Sequence, residues 1–378
     1  MKITQVEIDI VERNLGFVGD NVYQAAGVTG GIVHQGVLRI KTDEGYEGNC
    51  IVGQHRGYSL SIAEDIFKRF KPLLIGKNPL STNNLWTHVN NMPKYSINRF
   101  EPKDYAAYAA VDVALWDLKG KILDAPVYSI LGGEQRLIPA YGTYQPRHNN
   151  AKGYVEESTE IKNMGLSAYK IHPGSMPTKE TIKTIDLVRE SLGGDFTLMI
   201  DPNNTYELEK ALKVGEALDR NLFYWYEDPI RWNDFENIQK LIQLLKIPIA
   251  MTDKPEFLFN QNSQYMNNDM PQIIRGTTRK LGITGLLKSC AISEAFNKRC
   301  EIGTGGNIFF NMANIHVTLS VNNCTFYEYW MPTSTNDFAT KEKLELDCLG
   351  NVKPFDKAGL GLTLDNEWIL NNKILTIK

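Results

Sequence analysis

The chain carries no pair of cysteines at metal-binding or redox spacing. Its five cysteines, Cys50, Cys290, Cys300, Cys324 and Cys348, are scattered, odd in number and form no CxxC. That excludes a disulfide framework and points to buried or free thiols in a reducing compartment. No apolar run approaches the roughly 20 residues that span a bilayer, so no transmembrane helix is expected. Charge is nearly balanced, at −3, which leaves no footprint for nucleic acid or an anionic membrane. The opening MKITQVEIDIVERN alternates as a strand would and lacks the apolar core and cleavage site of a signal peptide. The expectation is a cytoplasmic globular protein. With 42% hydrophobic residues over 378 positions it can bury a sizeable core, in two domains rather than one.

The first third reads as strands followed by helices. KITQVEIDIV and GVLRIKTDEG look like two strands, the second closing on a turn at Asp43–Gly45. Helical patterns follow at about 59–71, 81–90 and 104–124, the last opening on Asp104 as an N-cap. Between the two strands, GFVGDNVYQAAGVTGGIVHQ is Gly-rich and aperiodic, as a lid or a disordered loop would be. From about Pro139 the pattern changes. IPAYGTY, SAYKIH, FTLMID, LFYWYE, IPIAMT, PQIIR, RCEIGT and CTFYEY are short β-like runs, and helical patterns such as 178–192, 206–219, 233–245 and 282–298 separate them. Eight such units favour a (β/α) barrel over an open doubly wound sheet. The divisions this suggests are an α+β domain over 1–125, a barrel over 126–335, and a tail, 336–378, that returns to the first domain.

Three carboxylates fall in step along the barrel pattern. Asp201 ends FTLMID, Glu227 ends LFYWYE and Asp253 follows IPIAMT, each 26 residues after the one before. Equal steps of one βα unit put them at matching heights at C-terminal strand ends, the rim where barrels build their sites. Each alone could cap a helix. Three together would repel strongly unless a hard cation sat between them, and oxygen-only ligands suit Mg2+. One unit earlier, SAYKIHPG places Lys170 and His172 one residue apart. Alternation in a strand points both the same way, into the same cavity. A cation beside a histidine favours the neutral ring that can accept a proton.

These residues carry a family resemblance. AAYAAVDVALWDLKGKILDAPVYSILGG, IDPNNTY, YEDPI, AMTD and YEYW together resemble the enolase superfamily, mandelate racemase subgroup, over nearly the whole chain. The resemblance implies an α+β capping domain on a modified TIM barrel, (β/α)7β. It also implies Mg2+ held by Asp201, Glu227 and Asp253, with Asn203 as a polar wall and Glu328 contacting substrate. Enolase-superfamily sites are known to pair a Lys or His base with Mg2+ and to pass through an enediolate. Here the Lys-x-Lys of the second barrel strand is Lys170 and His172, with His172 as base. The sixth-strand Asp and seventh-strand His of the subgroup are missing: Thr277 stands at the first position and Thr304 or Gly305 at the second. Without a base on each face, a racemase is disfavoured and a dehydratase that runs a syn elimination is preferred.

Around this set lie further candidates. Arg147, in YQPRHNN with His148, suits a carboxylate or polyol through its fork of donors. His55, His34 and Tyr95 could reach from the lid side. GTGGN, 303–307, is either an anion-binding loop or a replacement for the absent histidine's bulk. His316, Asp112 and Asp117 read as structural. The resulting expectation is a Mg2+-dependent, homo-oligomeric acid-sugar dehydratase. An epimerase or isomerase with a lid base, and a non-catalytic sugar-acid-binding barrel, are the alternatives.

Overall fold

The computed structural model describes residues 1–16, 31–53, 59–90, 104–251, 262–267 and 270–378. Strands β1 (Ile3–Asn14), β2 (Ile32–Thr42) and β3 (Glu47–Val52) form an antiparallel sheet. Two readings of this region change. β2 begins at Ile32, where it pairs with Asn14, so IVHQ belongs to the strand and not to the Gly-rich loop. β3 escaped notice because it is buried on both faces and shows no alternation. Its Gly48 lies so close to the helix Asp104–Ile122 that a Cβ would stand 2.2 Å from the Ala114 carbonyl. That helix is buried nearly all round, because it runs between the sheet and the barrel. Asp104 is its first residue, and the Asp104 side chain lies outside the described residues.

The pattern at 59–71 resolves into a helix Ser59–Asp65, a π turn Ile66–Phe70 and a short helix Lys71–Leu74. Pro72 has no N–H for the Lys68 carbonyl, and the widened turn is the local answer.

All eight barrel strands form where the sequence places them: β4 (Ile138–Tyr144), β5 (Ala168–Ile171), β6 (Thr197–Ile200), β7 (Trp225–Glu227), β8 (Ile249–Met251), β9 (Ile273–Gly276), β10 (Arg299–Ile302) and β11 (Tyr327–Met331). The parallel ladder runs in chain order from β10 back to β4 and closes onto β11. Between β10 and β11 the seam is held differently. Cys300 N–H donates to the Asn323 carbonyl at 2.8 Å, and the Glu301 carboxylate accepts from Thr325 and Phe326 N–H. Helices including Ala151–Asn163, Thr178–Leu192, Leu208–Arg220, Phe235–Leu244, Thr278–Ala295 and Ile308–Leu319 connect the strands on the outside. Among the described residues no helix is long and apolar enough to cross a membrane.

The tail adds β12 (Asn351–Val352) against β4, and β13 (Lys373–Ile377) against β1. Two buried carboxylates join the layers. Asp112 accepts from Thr284 N–H and hydroxyl and from Tyr108. Asp117 accepts from Asn49 and Leu360 N–H and pairs with Lys121.

Candidate active site

The site follows from strand alternation. Inside the barrel, Tyr141, Ala168, Met199, Trp225, Ala250 and Ile273 form a small apolar cluster against Phe326. Two residues further along the same strands the next inward side chains are Thr143, Lys170, Asp201, Glu227, Arg275 and Glu328. An apolar floor therefore carries a charged layer, and every one of these six is buried. A third step reaches His172 and Trp330.

Burying so many charges is tolerable only if each is paired. Lys170 Nζ lies 2.9 Å from Glu227, 3.1 Å from Glu328 and 3.9 Å from Asp201. Arg275 bridges from the other side, Nε to Glu227 at 3.0 Å and Nη2 to Glu328 at 2.6 Å. Glu328 also accepts from the Tyr141 hydroxyl and from Thr304 N–H. His172 sits above Asp201, with Nε2 3.2 Å from Oδ2, and its Nδ1 is 2.9 Å from the Thr143 hydroxyl. Burial alone would lower the Lys170 ammonium, but Glu227 and Glu328 outweigh it and hold it above the ordinary lysine value. Burial pushes the Glu227 carboxyl up to about 7 in spite of Arg275 and Lys170, with Asp201 and Glu328 adding to the rise.

Of the sequence-derived set, the structure brings together Lys170, His172, Asp201, Glu227 and Glu328. Asn203 is at the same rim, its N–H donating to Asp201 Oδ1 at 2.7 Å from a left-handed backbone position. Asp253, His55, Tyr95 and lid residues 17–30 lie outside the described residues. Arg147 does not share the inward layer. It stacks 3.5 Å over Tyr144, which alternation turns outward, and pairs with Glu157 at 2.6 Å and Glu160 at 2.8 Å on the covering helix. His148 lies against the same Glu157. His34 pairs with Glu12 across the first sheet. His316 is fully buried, accepting from Tyr128 N–H at Nδ1.

Four amides of the GTGGN loop are engaged. Those of Gly303, Thr304, Gly305 and Gly306 donate to Gly276, Glu328, Asn311 and Thr304 respectively. These four N–H groups, bonded within the protein, are not turned toward an anion. Where a sixth- and seventh-strand dyad would stand, the Thr277 hydroxyl donates to the Thr304 carbonyl at 3.0 Å.

Sequence reasoning missed Arg275, Thr143 and Tyr141. The signal for Arg275 was present: PQIIR ends a strand on a charge two residues beyond the inward Ile273. Its partners were not visible.

Among the described residues no group of three or more His, Cys, Asp or Glu side chains is gathered closely enough to hold a metal ion. The chemistry of the layer nonetheless fits a hard cation. Among the described residues, the Asp201, Glu227 and Glu328 carboxylates pair with two permanent cations, Lys170 and Arg275, and Asp201 also meets His172. Burial is the main reason the Glu227 carboxyl is raised, and the Asp201 and Glu328 carboxylates beside it add to the rise.

Comparison with known proteins gives the following. Residues 153–368 match the family described as Enolase C-terminal domain-like, and residues 23–132 match the Mandelate racemase / muconate lactonizing enzyme, N-terminal domain. Arabinonate dehydratase of Saccharolobus solfataricus is 28% identical over 342 residues, covering 86% of this chain and 87% of that protein. A D-mannonate dehydratase of Caulobacter vibrioides is 25% identical over 368 residues, covering 87% and 89%. The crystal structure of D-glucarate dehydratase from Agrobacterium tumefaciens complexed with magnesium superposes with a TM-score of 0.87 at 26% identity, covering 99% of this chain and 100% of that one.

Proposed function

This chain belongs to the mandelate racemase/muconate lactonizing enzyme family of the enolase superfamily, and from that premise we propose that it is a hydro-lyase of acid sugars. The substrate class is an aldonate or aldarate, and the product a 2-keto-3-deoxy acid. The observation that carries this reading is His172 standing 3.2 Å from Asp201 on the layer organised by Lys170. The dehydratases among the relatives support the reaction class.

His172 takes the proton from the carbon beside the substrate carboxylate. The electron pair released forms a carbon–carbon double bond as the β carbon–oxygen bond breaks. The same imidazolium returns its proton to the leaving hydroxyl, so water departs and the ring is neutral again. The enol left behind tautomerises to the keto acid. Lys170 keeps Glu227, Glu328 and Asp201 from repelling one another and holds positive charge beneath the reacting carboxylate. Asp201, Glu227 and Asp253 would hold Mg2+, whose charge makes the neighbouring C–H bond more acidic. Thr277 and Thr304 offer no second base, which favours elimination over epimerisation.

The test is a screen of aldonates and aldarates with Mg2+, scored for 2-keto-3-deoxy acids. Turnover of at least one, lost on chelation and restored by Mg2+, is expected. Epimerised product without dehydration would support a two-base isomerase instead. Binding without α-proton exchange would support a non-catalytic barrel.

A further inference from the structure

We infer that a groove on the capping domain, about 500 Å³ in volume, is a second binding site whose ligand is an aliphatic monocarboxylate. Its floor is made by Ile3 of β1, Leu74, Leu85 and Leu115, all buried, with Pro72 and Leu73 as a wall. Around that floor stand Lys77, Ser81, Asn84 and His88, all exposed. Small-molecule sites have this make-up, an apolar lining with a few polar groups, in volumes of about 300–1,000 Å³. The groove is separate from the barrel mouth. It takes in the Ile3 end of β1, whereas Arg13, near the other end, donates to the Ser334 and Thr335 carbonyls just beyond β11. Ten residues along the strand separate the two, roughly 30 Å at about 3.3 Å each.

The lining selects the chemistry of the ligand. Elsewhere on this domain Arg39, Lys41, Lys68 and Lys121 pair with carboxylates. Among the described residues the side chains of Lys77, Ser81, Asn84 and His88 have no hydrogen-bond or ion-pair partner, and the lining includes no Asp or Glu. A set of donors for one anionic group is therefore left at the edge of an apolar floor, with Lys77 supplying the charge. The lining also has no arginine and no Phe, Tyr or Trp. A polyphosphate would call for the bidentate fork of arginine, and a nucleobase for an aromatic platform. Branched aliphatic walls suit a hydrocarbon chain instead, which gains by leaving water.

The experiment is calorimetric titration of the full-length protein with butyrate, hexanoate and octanoate, with octan-1-ol as the uncharged control. A chelator is present throughout, so that no metal in the barrel draws the carboxylates there, and the outcome does not depend on the dehydratase reading. Affinity should rise about fourfold per added methylene, the factor for burying one CH2. Octanoate should bind more tightly than octan-1-ol by about fivefold, as expected of an ion pair at an open edge. Lys77→Met should erase the preference for the acid and leave the affinity for the alcohol unchanged. Asn84→Trp, at an exposed position, should fill the groove and abolish binding of both. The inference is overturned if octanoate does not bind, binds no better than octan-1-ol, or binds Asn84→Trp as tightly as the wild type. It is also overturned if sedimentation shows Asn84→Trp splitting an assembly that octanoate does not bind, since the groove would then be an interface between copies of the chain.

Discussion

Lys170 is the residue on which the charged layer depends, because among the described residues it is the ammonium shared by Asp201, Glu227 and Glu328. Two substitutions separate its role from that of its neighbour. His172→Asn should abolish exchange of the substrate α-proton with D2O while ligand binding stays nearly intact. Lys170→Met should lower the rate and also weaken ligand binding, because it removes the ammonium that three buried carboxylates share. Exchange at the wild-type rate in His172→Asn would place the base elsewhere. Arg275 completes the pairing from β9, and losing one partner of a buried ion pair typically costs about 3–5 kcal/mol. Arg275→Met should therefore shift urea unfolding by that order. Arg275→Lys should rescue little, since a point charge cannot bridge Glu227 and Glu328 as the guanidinium does. A midpoint unchanged in Arg275→Met would refute this view of the layer.

At the scale of elements, the alternation of short strands does the positioning, and one helix shows how the domains are tied together. The helix Thr278–Ala295 breaks at Gly282, whose φ of 62° lies in the left-handed region. The break lets Asp112 of the capping helix receive Thr284 N–H at 3.0 Å, and a Cβ on Gly282 would stand 2.4 Å from the Asp112 carboxylate. Burial raises Asp112 to about 6, against the hydrogen bonds from Thr284 and Tyr108 that favour its charge. Gly282→Ala meets both an unfavourable φ and a clash, so it should destabilise by more than about 1 kcal/mol. Thermal unfolding checks this. A melting temperature equal to wild type would mean the kink relaxes without consequence.

Over the whole molecule, the capping sheet, the barrel and the tail share one buried core. His316 reports on it. Burial lowers its imidazole from 6.5 to about 4. A base whose folded pKa is depressed must be charged in the unfolded state first, so between about 6.5 and 4 the unfolded chain binds more protons. Stability should fall as pH drops through that window, by about 3 kcal/mol from this group. His316→Gln should flatten the slope of urea-derived stability against pH between 7 and 4. An identical slope in the variant would assign the acid sensitivity to other groups.

What the sequence by itself determined was whatever repeats locally. Eight β-like runs, the 26-residue steps to Asp201, Glu227 and Asp253, and the one-residue gap between Lys170 and His172 were legible, because period-2 alternation and βα unit length are written in neighbouring residues. The tertiary structure alone decided the partners. Arg275 meets Glu227 48 residues away and Tyr141 134 residues away, and no local pattern marks contacts of that range. It also turned Arg147 outward onto Glu157 and Glu160, and it set β13 beside β1 at the far end of the chain. Thr143 reads in sequence as one more β-branched strand residue. Only closure of β4 against β5 places its hydroxyl between the Lys170 carbonyl and His172.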